Sequence, residues 1–286
     1  VIVTSQEDID ATLGEANQAR TNDFSKITGR FHTRLSLSSS NTDEVISQRL
    51  LEKTPEAKAA LAAVWKAKGD IINNQLSFAD HAVAFRRFKD ADDYAAHYPF
   101  APYQFQLLQK VFESIRKVGA TGRHLARGER SMLDAFQTAA VGNGDKDIDA
   151  FVPLYDFYPS IESFLDSSVK RAIDQAGENP ALEPWDIKLL RALFLIRYAD
   201  AVKATVDNLA TLCLDRVDAD KLALKRQIQE SLARLERQNL VSRNGDLWFF
   251  LTNEERDVSQ EIKSVDISSA EVSRLIESTQ DIEKMA

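Results

Sequence analysis

A mainly helical chain, closed near its C-terminus by three helices and a β-hairpin, is the fold class that these 286 residues predict. Three observations carry it. Glycine is scarce, at 10 residues, while Ala, Leu, Gln, Glu and Arg are abundant, the composition of helix formers. Apolar residues recur at helical spacing over long stretches between 41 and 239. Two β-prone runs then flank Asn244-Gly245 in "VSRNGDLWFFLT", a strong short-range hairpin signal.

The elements follow in order. "VIV" at the start, ending in Thr4, Ser5 and Gln6, reads as a strand buried on both faces. Such a strand needs neighbours, and no initiator Met or signal peptide precedes it, so an internal fragment of a longer protein is expected. Residues 7–28 are polar, and "RFHTRLSLS" (30–38) alternates as a second strand. Asn41 and Glu44 form a capping-box signature, opening a helical tract expected to reach about residue 89. "PYQFQLLQKVFESIRK" sets Phe105, Leu108, Phe112 and Ile115 on one helical face, and "RGERSMLDAFQTAA" is another helix. "VGNGDKDID" (141–149) reads as a linker.

Beyond residue 183, "PWDIKLLRALFLIRYA", "TVDNLATLCL" and "DADKLALKRQIQESLARLERQNL" are three helices, the last repeating Leu224, Ile228, Leu232 and Leu235. With the hairpin after them, this is the order of a winged helix-turn-helix. "TNEE" (252–255) makes a second capping box and opens a polar helix into the tail.

The composition bounds the function. Charge is −8 and the pI about 5.2, which excludes a surface basic all over but leaves room for a local basic stripe. No apolar run approaches a membrane span, and the single Cys213 suits a reduced, buried thiol in a cytoplasmic protein. There is no G-x-x-x-x-G-K-[ST] loop, no H-E-x-x-H and no G-x-S-x-G. His32, His81, His97 and His124 lack metal-ligand spacing. A complete catalytic site is not expected in this chain.

Three stretches nevertheless fit together. Thr4, Ser5 and Gln6 would lie at the carboxyl edge of a sheet, where α/β ligands bind. Arg30, between a loop and a strand, suits an arginine reaching a neighbour's γ-phosphate. Arg130 stands in the first turn of a helix, beside N–H groups that favour anions. Each also suits a plainer role as turn, surface ion pair or helix start. In helix 219–239, Lys221, Lys225, Arg226 and Gln229 read as a polar-basic stripe opposite the leucines, fit for DNA phosphates. Asp218, Asp220, Glu230 and Glu236 nearly balance it, so a solvated face or a protein-docking surface stays open. Trp248, Phe249 and Phe250 are expected to pack the hairpin with one ring exposed.

The order of these stretches is that of the second half of an AAA+ ATPase module. More closely, "RFHTRLSLSSSNTDEVISQRLLEKT", "YPFAPYQFQLLQ", "GERSMLDAFQ", "IRYADAVKATVDNLATL" and "FLTNEERDVSQEI" resemble the large P-loop ATPase of BREX phage-defence systems (the C component, related to PglY). The resemblance runs from about residue 1 to 265. It implies the end of an αβα AAA+ core over 1–38, a helical lid over 39–145 and a connecting segment over 146–183. A winged helix over 184–257 and a helical tail over 258–286 complete the implied plan. Thr4, Ser5 and Gln6 then match the sensor-1 region, Arg30 the arginine finger and Arg130 the sensor-2 position. The implied partners are further copies of the ATPase, other BREX components and double-stranded DNA. ATP and magnesium would serve the full-length parent, whereas this chain, lacking both Walker motifs, is expected to be inactive alone. A DNA-binding regulator independent of nucleotide and a non-enzymatic oligomerisation scaffold are the competing expectations.

Overall fold

The computed structural model describes residues 42–79, 84–117, 128–163, 165, 167–197 and 199–264, all within one compact unit. The elements expected before residue 42, including the remnant of the ATPase core, lie outside these residues. The described chain is mainly helical, with one two-stranded sheet.

Helix α1 (Thr42–Val45) runs into a π-helical turn (Ile46–Leu50) and stops. Here the helical tract expected to reach residue 89 divides. Thr54 caps a new helix by accepting from the Ala57 N–H at 3.3 Å, and Pro55 occupies its first turn, where a missing N–H costs nothing. That helix, α2 (Pro55–Gln75), also ends early. The backbone beyond it finds partners elsewhere: the Ser77 carbonyl accepts from Thr211 Oγ1 (2.9 Å), and the Ala79 N–H donates to Asn208 Oδ1 (2.8 Å). Tertiary hydrogen bonds thus replace helical ones, and residues 84–89 are irregular.

α3 (Ala91–His97) and α4 (Pro102–Lys117) follow, with Asp90 capping α3 through the Asp93 N–H at 2.8 Å. The expected face of α4 is the buried one: Phe105, Leu108, Phe112 and Ile115 are all in the core. α5 (Gly128–Gly142) packs beside it. Phe136 of α5 stacks on Phe105 at 4.5 Å and meets Phe100 and Phe157 edge-on at 4.8 and 5.1 Å. A second aromatic knot joins Trp65 to Phe88 and Tyr94. It presses on Gly69, where an added Cβ would come within 2.9 Å of the Trp65 ring.

The stretch expected to connect two regions contributes heavily to the core. A 3₁₀ turn (Leu154–Phe157), α6 (Tyr158–Glu162) and α7 (Ser167–Gly177) lie within it, and Phe151, Leu154, Phe157, Tyr158 and Ile161 are buried. Its entry is tied to the later chain by Phe151 N–H to Asp215 O and Val217 N–H to Asp149 O, both 2.8 Å.

α8 (Pro184–Arg197), α9 (Val206–Leu212) and α10 (Lys221–Arg237) are the three expected helices. α10 ends in a Schellman motif. Asn239 takes a left-handed φ of 56°, the Leu240 N–H donates to Leu235 O, and the Asn239 N–H donates to Glu236 O, each at 3.0 Å. Strands β1 (Val241–Asn244) and β2 (Leu247–Phe250) pair antiparallel, with Val241 opposite Phe250 and Asn244 opposite Leu247. The two-residue loop is therefore Gly245-Asp246, one residue later than the Asn244-Gly245 signal suggests. Gly245, at φ 59°, fills the first central position, where a type II′ turn requires glycine. The capping box before α11 (Asn253–Ser264) is reciprocal: the Thr252 N–H donates to Glu255 Oε2 (2.9 Å) and the Glu255 N–H to Thr252 Oγ1 (3.3 Å).

Candidate functional site

The inner flank of α10 is built for stability. Arg234 forks onto the fully buried Asp186 of α8, with Nε–Oδ2 and Nη2–Oδ1 both at 2.8 Å, and reaches Glu183 at 3.1 Å. Burial opposes ionisation of Asp186, yet the Arg234 guanidinium and the Glu183 N–H outweigh it and hold the carboxyl below its usual range. Ile228, Leu232 and Leu235 of α10 are buried in the core.

Lys221 and Lys225 belong to that flank rather than to a stripe opposite it. Lys221 Nζ donates to the Gln75 carbonyl (2.9 Å) and to Thr211 Oγ1 (3.0 Å), joining α10 to α2 and α9. Burial first, then the charge of Lys225, pushes the Lys221 ammonium below its usual range, with Asp207 opposing. Lys225 pairs with Asp207. The reason is helical geometry: Ile228 and Leu232 follow Lys221 by seven and eleven residues, and Leu232 follows Lys225 by seven. At 3.6 residues per turn such separations return to nearly the same face. The sequence reading set both lysines opposite the leucines, whereas these spacings show both bordering the apolar stripe.

The outer flank holds Leu222, Arg226, Gln229, Glu230, Ala233, Glu236 and Arg237, all exposed. Of the three cations expected to meet DNA, Arg226 is the exposed one. Its neighbours alternate in sign, so this flank is close to neutral.

The hairpin adds a cation not anticipated from the sequence. Arg243 lies across the strand pair from Trp248, its guanidinium 5.5 Å from the ring centroid, and donates from Nε to the Gly245 carbonyl at 2.6 Å. Asp246 approaches its Nη2 at 3.6 Å. The register that follows from a two-residue loop at Gly245-Asp246 would have revealed the Arg243–Trp248 pairing. Among the three expected hairpin aromatics, Phe250 is buried, Trp248 half-buried and Phe249 42% exposed. A further strand contact comes from the chain between α8 and α9: the Trp248 N–H donates to the Ala204 carbonyl at 3.0 Å.

Arg130 stands in the first turn of α5, as expected, but its side chain lies outside the described residues. Thr4, Ser5, Gln6 and Arg30 lie outside them altogether.

Elsewhere the polar clusters hold structure. His97 Nδ1 meets the Asp93 carbonyl at 2.8 Å and Asp93 Oδ1 at 3.1 Å, and Arg86 pairs with the same carboxylate. Asp43 is held above its usual range by burial, with the charges of His97 and Arg86 opposing. The Cys213 thiol is buried and free, pushed up to about 12 by burial and by Asp215, which suits packing and not nucleophilic attack. Among the described residues, no group of three or more His, Cys, Asp or Glu could hold a metal, and no helix is long and apolar enough to cross a membrane.

No protein-family model matches the chain, and no solved structure matches it.

Proposed function

We propose that this chain is the lid and winged-helix part of a BREX-type AAA+ ATPase acting in bacteriophage defence, serving assembly of the ATPase and its association with DNA. The observation that carries the winged helix is the bond from Trp248 to Ala204. It adds the chain between the first two helices of the trio to the edge of the hairpin, as winged helices do. The family likeness of the quoted stretches supports the defence role. The helices from α1 to α5, with Arg130 opening α5, suit a lid that closes over nucleotide held by the parent.

Association with DNA would run through Arg226 on the outer flank of α10 and Arg243 on the hairpin, whose guanidiniums suit phosphate oxygens. The near-neutral outer flank favours a second reading, in which the same surface docks another protein of the defence complex. Both readings keep the trio and hairpin as a recognition module.

The ATPase part of the proposal is tested in the full-length parent with ATP and magnesium. Arg30→Ala is expected to abolish most hydrolysis while sparing nucleotide binding, since a finger acts on a neighbour's transition state and is worth about 10³–10⁵ in rate. Arg130→Ala is expected instead to weaken nucleotide affinity. Wild-type turnover and affinity in both variants would remove the assignment.

A further inference from the structure

The turn of the hairpin carries both a cation and its own counter-charge. Gly245 and Asp246 fill the central positions of the loop, and Arg243 lies just before it on β1. The Arg243 guanidinium is held from three directions. Its Nε donates to the Gly245 carbonyl at 2.6 Å, the Trp248 ring centroid is 5.5 Å away across the strand pair, and Asp246 Oδ1 approaches Nη2 at 3.6 Å.

A planar guanidinium offers two edges on which a pair of N–H groups can bind a phosphate. The turn itself occupies the Nε–Nη2 edge. The Nη1–Nη2 edge has no partner among the described residues beyond the approach of Asp246 to Nη2. A phosphate oxygen accepting from that edge would stand close to the Asp246 carboxylate, and like charges so placed oppose each other. The ion pair is loose, longer than a hydrogen bond, and the Asp246 side chain is 93% exposed, so the carboxylate can turn away at little cost.

We propose that the hairpin tip is a self-masked phosphate site. Arg243 takes a backbone phosphate of duplex DNA on its Nη1–Nη2 edge, and Asp246 opposes that contact until it swings aside. This rests on the reading of the hairpin as a surface that associates with DNA. The mask makes the site selective: a free anion competes poorly with a tethered carboxylate. A phosphate of a duplex already held by α10 competes at high local concentration.

The test measures duplex binding over a range of salt by the full-length parent as wild type, Asp246→Asn, Arg243→Gln and the double variant. Asn keeps the shape of Asp and suits a turn after glycine, so the hairpin is retained. Asp246→Asn is expected to tighten binding about two- to fivefold, the worth of an exposed ion pair, and to steepen the log–log salt slope by up to roughly one. In the Arg243→Gln background the same change is expected to give no gain. An equal gain in both backgrounds is a general charge effect and overturns the mask, as does binding by Asp246→Asn no tighter than wild type.

A second arm separates the mask from the DNA reading. Inorganic phosphate is titrated into the 286-residue chain and followed through the Arg243 Nε–H resonance, which is expected to respond at lower phosphate in Asp246→Asn than in wild type. If no variant binds duplex, the DNA reading fails and this arm still decides the mask. Identical phosphate responses in the two proteins overturn it whatever the duplex result.

Discussion

The two flanks of α10 carry the same kinds of residue and do different work. On the inner flank, Arg234, Lys221 and Lys225 are all engaged within the chain, by Asp186, by Gln75 and Thr211, and by Asp207. On the outer flank Arg226 and Arg237 stand exposed beside Glu230 and Glu236. A cation's place in the sequence therefore says little about its availability; what decides is its angular distance from the apolar stripe. Lys225 and Arg226 are adjacent in sequence, yet one closes an internal ion pair and the other faces solvent.

If the inner flank is structural, its variants should unfold the module in order of burial. Arg234→Ala leaves the Asp186 carboxylate buried without its counter-charge, and the expected loss is about 3–5 kcal/mol in urea unfolding. The same pair predicts a pH dependence. Because the folded Asp186 titrates below its usual range, its contribution is fully present above the unfolded carboxylate's pKa of about 3.9 and is lost as pH falls through the lower folded value. Wild-type stability should thus fall in that acid window, where an Asp186→Asn variant shows no further decline from this site.

Lys221→Ala comes next. It removes two donated hydrogen bonds that hold the end of α2 to α9 and α10, for an expected cost on the order of 1–2 kcal/mol. Lys225→Ala breaks a partly exposed pair with Asp207 and should cost less than about 1 kcal/mol. Arg226→Glu, on the outer flank, should change stability by no more than about 0.5 kcal/mol. A stability loss for Arg226→Glu matching that of Lys221→Ala, measured by the same unfolding curves, would erase the distinction between the flanks.

Much of this arrangement was legible beforehand, because it rests on local chemistry. The apolar spacing of α4, α8 and α10, the capping box at Thr252 and Glu255, and the glycine of the hairpin each announce one element through its own residues. What stayed hidden depends on partners remote in sequence. α2 ends at Gln75 because Asn208 and Thr211 take over the backbone that follows it. The 150–165 stretch, introduced by a Gly- and Asp-rich linker signal, is core because Phe136 and Phe194 await Phe157 and Tyr158. The outlook of Lys221 was available in the sequence, through its seven- and eleven-residue spacing to Ile228 and Leu232, but only when the buried stripe is traced along the whole helix. Arg243 needed the hairpin register.

The sharpest test of the outer flank as a working surface is the salt dependence of duplex DNA binding. The assembly proposed for the full-length parent would be titrated as wild type, as Arg226→Glu with Arg243→Glu, and as Lys225→Ala. The account predicts that the outer double variant binds every duplex more weakly, with a log–log salt slope shallower by roughly one for each phosphate that a copy no longer neutralises. Lys225→Ala should keep the wild-type slope, because the partner of Lys225 is Asp207. Wild-type protein that ignores duplex DNA even at low salt would contradict DNA association and leave protein docking as the role of this surface.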